Sequence, residues 1–168
     1  YPTLWATTSS PSSVTPGLDG AGKGLLAAGQ TYLTLPSGMA NFYLYIQFHG
    51  HSASSWSSMV QCFGSGFATR CIQCDIAATN FYLTSSSGTA ASSRAYDKDA
   101  NHHIWLDFVK NTSAKLYVST DGIKGDPIAQ LTTGVANDDV RIIDLFATAS
   151  GTIYDRLIIH SSAIGDNP

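Results

Sequence analysis

Four side chains at alternate positions, Tyr43, Tyr45, Gln47 and His49, carry the densest chemistry in the chain. Spaced two apart on an extended strand, they point to one side of a sheet. Rings and an amide arrayed in this way offer flat apolar faces and hydrogen-bonding edges, the chemistry that holds a sugar ring. The same residues would serve equally well packed under a loop or against another subunit. Two further aromatics could join them. Trp105 alternates out of a second apolar strand. Tyr96 stands among Arg94, Asp97, Lys98 and Asp99 in the stretch from Ser85 to Ala100, which reads as the longest loop of the chain.

Other chemistries are poorly supplied. The chain contains no Glu, so its 12 acidic residues are all Asp. That removes the Glu pair on which glycoside hydrolysis most often depends. Gly64-Ser65-Gly66 has neither the spacing nor the strand-to-helix setting of a nucleophile elbow. Cys71-x-x-Cys74 lacks a second ligand pair at metal spacing, because the adjacent His102 and His103 point to opposite faces of a strand. With a net charge of -3 and nine scattered Lys and Arg, the sequence shows no nucleic-acid footprint. Its apolar runs are too short to span a membrane as helix.

The elements that must position these residues are strands. Phe42, Leu44, Ile46 and Phe48 alternate with the Tyr43–His49 stripe and must face a core. Ile104, Leu106 and Phe108, followed by a turn at Lys110-Asn111-Thr112-Ser113 and then Leu116 and Val118, read as a hairpin with one buried face. The low charge, 12%, and the absence of Glu both suit an all-β protein. About eleven strands can be counted, with no amphipathic helix. The expectation is one sandwich domain over residues 18–168, preceded by an extended Pro/Ser/Thr-rich arm over 1–17. Three cysteines, Cys62, Cys71 and Cys74, leave an odd thiol. Cys62–Cys71 and Cys62–Cys74 bridges are both open, as is burial of all three as free thiols.

Two stretches carry a family likeness. His102-His103-Ile104, with Lys115-Leu116-Tyr117-Val118 and Asp121-Gly122 after it, resembles the central hairpin of laminin-G-like, concanavalin A-like jelly rolls. Ile153-Tyr154-Asp155-Arg156-Leu157-Ile158-Ile159, followed by Ser162-Ala163-Ile164-Gly165, resembles their closing strand. The likeness covers Leu25 to Gly165. It implies a two-sheet antiparallel jelly-roll sandwich, a fold that serves lectins, lyases and hydrolases alike and so names no activity. It also implies a structural calcium held by Asp155, with Asp19 as a partner. Gln47-Phe48-His49 faintly resembles a strand of alginate-lyase-like jelly rolls, but that family's Arg-rich and Tyr-Phe-Lys strands are missing. A substrate carboxylate would have nothing to hold it.

The function expected from the sequence is non-catalytic recognition or attachment on an outer surface, extracellular or on a virion. The partner would be a glycan or host-surface polysaccharide, held by Tyr43, Tyr45, Gln47, His49, Trp105 and Tyr96. A structural subunit whose arm docks on a neighbouring copy is the alternative. A polysaccharide lyase or glycoside hydrolase comes third.

Overall fold

The computed structural model describes residues 5–7, 12–14, 18, 24–26, 29–50, 56–77, 79–147 and 152–168. Among the described residues fourteen strands follow one another: β1 (Trp5–Thr7), β2 (Ser12–Val14), β3 (Gly24–Leu26), β4 (Gly29–Met39), β5 (Asn41–His49), β6 (Ser57–Phe63) and β7 (Arg70–Ala77). They continue as β8 (Asn80–Ser85), β9 (Gly88–Ala95), β10 (His102–Val109), β11 (Ser113–Ser119), β12 (Ala129–Leu131), β13 (Val140–Ala147) and β14 (Ile153–His160). A single 3₁₀ turn, Ser65–Phe67, interrupts them among the described residues.

Two antiparallel sheets of seven strands form a jelly-roll sandwich. The first runs β1-β4-β13-β6-β7-β8-β9 and the second β12-β11-β10-β5-β14-β3-β2. Phe42, Leu44, Ile46 and Phe48 of β5 face inward, as do Ile104, Leu106 and Phe108 of β10, and all are fully buried. The β10–β11 hairpin turns where the sequence places it, with Asn111 at φ 54 taking the left-handed conformation that Asn tolerates. From the first sheet, Ile72, Cys74 and Ile76 of β7 and Phe81 and Leu83 of β8 complete the same core.

One expectation needs correction. The stretch from Ser85 to Ala100 is not one long loop: Gly88–Ala95 is a strand paired with β8. Its Ala- and Ser-rich sequence hides it, because small side chains give no apolar alternation to read. Within 1–17, the described pieces are β1 and β2, which pair with β4 and β3 of the same chain. β4 also runs on through Pro36, which lies beyond the last residue paired with β1 and so faces no donor demand on that side.

All three cysteines are free thiols in the interior, so neither bridge forms. Burial raises each thiol pKa, that of Cys71 to about 12. They pack as small apolar side chains.

Candidate ligand-binding face

The stripe on β5 does face away from the core, as its alternation requires, but it does not face solvent. Tyr45 and Trp105 are 0% exposed and Gln47 is buried. Tyr45 pairs with Trp105 across β5–β10, their rings 5.1 Å apart, and Tyr117 and Ile164 close a second apolar cluster over them. The covering segment is the end of the chain. Trp105 Nε1 donates to the Gly165 carbonyl at 3.1 Å, and Lys124 N donates to Asp166 Oδ1 at 2.7 Å. Lys124 Nζ reaches both oxygens of Asp107 at 2.9 Å and the Ile164 carbonyl at 3.1 Å, and lies 4.3 Å from the Tyr117 ring centre. With the pair only 12% and 13% exposed, this ion pair is an interior latch rather than a surface contact.

Other polar atoms of the stripe are engaged, while Gln47 Oε1 is buried without a hydrogen-bond partner. The Tyr45 hydroxyl meets His103 Nδ1 at 2.8 Å and accepts from Gln47 Nε2 at 3.0 Å. His49 Nδ1 lies 3.2 Å from the Ala100 carbonyl, and Tyr43 is half-buried against the cluster. Tyr96 belongs to the other side. It stacks on Phe48 at 6.0 Å and packs edge-on to Phe81 at 5.5 Å, closing one end of the core instead of carrying a ligand. Of the six residues expected to bind glycan, two are sealed outright and the others are built into packing or hydrogen bonds. The sequence could not show this, because the cover comes from a segment with no secondary structure of its own.

His102 and His103 do point to opposite faces. His102 stacks on Phe48 at 5.1 Å, and its Nε2 donates to the Asp97 carbonyl at 2.7 Å, while His103 stacks on Trp105. Burial lowers the pKa of His102, with the Asp97 carbonyl opposing, and burial also lowers that of His103. A histidine pKa that is lower folded than unfolded contributes stability that is complete above 6.5 and is lost as pH falls from there towards the folded value. The melting temperature is therefore expected to drop on going from about pH 7.5 to about pH 5. In His102→Phe, which keeps the aromatic stack, the drop should be shallower; an equal drop would show that this histidine does not drive it.

Asp155 sits at a bulge in β14 where Arg156 takes φ 49. Its Oδ1 accepts the Arg156 N–H and its Oδ2 accepts the Leu18 N–H, both at 2.8 Å. The carboxylate is a clamp between the bulge and the N-terminal region. Each of its oxygens already accepts a backbone N–H, and Asp19, the other expected calcium ligand, lies outside the described residues. No group of three or more His, Cys, Asp or Glu converges among the described residues.

A second polar row lies on the outer face of the first sheet; its centre, Gln73, Asp75, Thr84 and Asp144, is buried, while Tyr32, Ser58, Gln61 and Tyr82 are half-buried. Its register lines up Tyr32, Asp144, Gln61, Gln73 and Thr84 on successive strands β4, β13, β6, β7 and β8. The next row is Ser58, Asp75 and Tyr82. These side chains are joined. Gln61 Nε2 donates to Gln73 Oε1 at 3.1 Å, and Gln73 Nε2 donates to Ser58 Oγ at 2.8 Å and to Asp75 Oδ1. Thr84 Oγ1 donates to Asp75 Oδ2 at 3.0 Å. Asp75 is 0% exposed, and burial raises its pKa against the opposing pull of the Gln73, Ser58 and Thr84 hydrogen bonds and of Arg70.

Aromatic rings flank this strip. On one side Trp56, 49% exposed, lies 4.5 Å from the Tyr82 ring. On the other, Phe67 stands edge-on to Tyr32 and packs against Phe63, both at 5.3 Å. Phe67 is 40% exposed and holds φ 61, a backbone state that a bulky side chain adopts at a cost. The turn before it depends on Gly64, where a Cβ would come within 2.0 Å of Asp138 Oδ2. From Tyr32 on β4 to Tyr82 on β8 the strip crosses four strand spacings, roughly 19 Å. Sequence reading passed over it because Gln61, Gln73 and Thr84 lie between apolar neighbours and read only as strand residues. A signal was present: Gln73 and Asp75 alternate with Ile72, Cys74 and Ile76.

No protein-family model matches the sequence, and no curated protein matches it significantly. Solved structures are similar in fold. The binding domain of Paraclostridial Mosquitocidal Protein 1 aligns over 96% of this chain and 44% of its own, with a TM-score of 0.68 and 10% identity. A Trypanosoma rangeli sialidase mutant aligns over 84% of this chain with a TM-score of 0.62 and 12% identity, and this chain spans only 26% of that one. The binding domain of Botulinum Neurotoxin DC, solved in complex with SialylT, aligns over 82% of this chain and 37% of its own, with a TM-score of 0.54 and 9% identity. At these identities the likeness is one of fold, a β-sandwich that stands as one part of larger chains.

Proposed function

We propose that this domain is a non-catalytic recognition module of the concanavalin A-like kind that binds glycan on the outer face of its first sheet. One observation carries the reading: over a buried polar row, the half-buried Ser58 and Gln61 lie between exposed or half-buried rings, Trp56 and Tyr82 on one side and Tyr32, Phe63 and Phe67 on the other. Rings bind the apolar faces of sugars by stacking, and the half-buried Gln61 amide and Ser58 hydroxyl between them can meet hydroxyl edges. A span of roughly 19 Å suits an oligosaccharide lying across the strands rather than one terminal sugar. The solved neurotoxin domain that holds a sialylated ligand supports the general idea that this sandwich can present a glycan site. Asp75 argues against catalysis, since both of its oxygens are enclosed by donors from its own sheet and it has no free edge for a reacting group.

Trp56→Ala is the test. Half-exposed and at the border of the strip, Trp56 can be removed with little loss of stability. Affinity for a bound polysaccharide should fall by about tenfold or more, as it does when a stacked aromatic anchor is truncated. Tyr82→Ala should behave in the same direction. Binding in a polysaccharide pull-down that is unchanged in both variants would sink the reading.

A further inference from the structure

The charges around the strip indicate what kind of glycan it takes. Its floor holds two fully buried carboxyl groups, Asp75 and Asp144. Around them the described groups are neutral amides, hydroxyls and rings. Arg70, at the start of β7, is the cation whose field reaches Asp75. The other described cations are committed or lie elsewhere. Lys98, Lys110 and Lys124 are paired with Asp99, Asp139 and Asp107. Arg94 donates to the Val118 carbonyl, and Arg141 stands beside Gly38. Lys115 and Arg156 belong to the second sheet.

A carboxylate brought onto this strip would leave water to lie above two buried acids and the groups held to them. Among the described residues the cation in reach is Arg70, opposite Phe63 at the border of the strip, and a charge desolvated at the centre without a partner is strongly disfavoured. Uncharged sugar hydroxyls carry no such penalty and can both donate and accept. We infer that the strip selects uncharged oligosaccharide segments and rejects glycans bearing carboxylates, whether sialic acids or uronates. This rests on the glycan reading above, and it sets the domain apart from a neighbour of the same fold whose ligand is sialylated.

The experiment compares two forms of one polymer. A polyuronate and its carboxyl-reduced product share length and linkage and differ in charge, and a sialylated oligosaccharide and its desialylated form make a second pair. Each is titrated by calorimetry at neutral pH and low salt against the wild-type domain and Trp56→Ala. The expected result is that the neutral member of a pair binds at least about tenfold tighter, a difference of about 1.4 kcal/mol, and that Trp56→Ala removes the preference with the binding. Equal or tighter binding of the acidic member, lost in Trp56→Ala, would overturn the inference and leave the glycan site standing. Failure of a wider panel of neutral and acidic polysaccharides to bind at all, or binding indifferent to Trp56, would overturn the site itself and the inference with it.

Discussion

Trp105→Ala is expected to destabilise the domain by about 3–5 kcal/mol, the range for removing a buried Trp or Phe from a packed interior. Trp105 is 0% exposed although it lies on the outer side of its sheet. Its ring touches Tyr45 and His103, and its Nε1 bonds the Gly165 carbonyl, so truncation leaves a cavity and an orphaned acceptor together. At about 2–4 °C per kcal/mol for a chain of this size, the melting temperature should fall by roughly 6–20 °C. Glycan binding below that temperature should stay intact, since the proposed site is on the other sheet. Ile164→Ala, a smaller loss in the same cluster, should shift stability in the same direction and by less, and it offers a folded variant should Trp105→Ala fail to fold. A stable Trp105→Ala protein that no longer binds polysaccharide would return the site to the stripe on β5.

That contrast shows where the sequence could be read and where it could not. The faces of strands are set by a period of two, so Phe42 to Phe48 and Ile104 to Phe108 announce the core directly, and the structure puts all of them there. Outwardness was legible in the same way for Tyr43, Tyr45, Gln47 and His49. Exposure was not, because outward and exposed differ by whatever the rest of the chain lays on top. Ser161 to Pro168 has no apolar period, yet Ile164 seats in the cluster and Asp166 and Asn167 bond the 122–124 turn. Long-range placement of an irregular segment leaves no local pattern. The first sheet posed the converse problem. Gln61, Gln73, Asp75 and Thr84 look unremarkable one at a time, and the row exists only once β6, β7, β8 and β13 are brought into register. Tyr96 was misplaced for a third reason. Its charged neighbours mark a surface turn, and a ring at the end of such a turn can reach back onto Phe48 and Phe81.

Asp75 gives the second large effect, and a pair of substitutions separates its hydrogen bonds from its charge. Gln73 Nε2 and the Thr84 hydroxyl both donate to its two oxygens inside the sheet face. Asp75→Leu leaves the Thr84 hydroxyl and one of the two Gln73 amide hydrogens without an acceptor where water has little access, the other amide hydrogen keeping Ser58. At about 1–3 kcal/mol for each buried group left unsatisfied, the loss for the two should be about 2–6 kcal/mol in urea unfolding at neutral pH. Asp75→Asn keeps one acceptor oxygen and sets an amide against Thr84, whose hydroxyl can rotate to accept, so its cost should be well below that of the Leu variant. The pH dependence should separate the two states of the carboxyl itself. Its folded pKa is raised by burial, so its contribution to stability is fully present below the unfolded value of 3.8 and is lost as pH rises through the folded value. Asp75→Asn has no such titration. Relative to the wild type it should therefore gain stability as pH rises through that window. A difference between the two proteins that is flat with pH, or a Leu variant as stable as the Asn one, would show that the row does not hang on this carboxyl. If the expected pattern holds, Asp75 is what orients the Gln73 amide and, through it, Gln61. The donors and acceptors a glycan meets on this face would then be fixed by a group the glycan never touches.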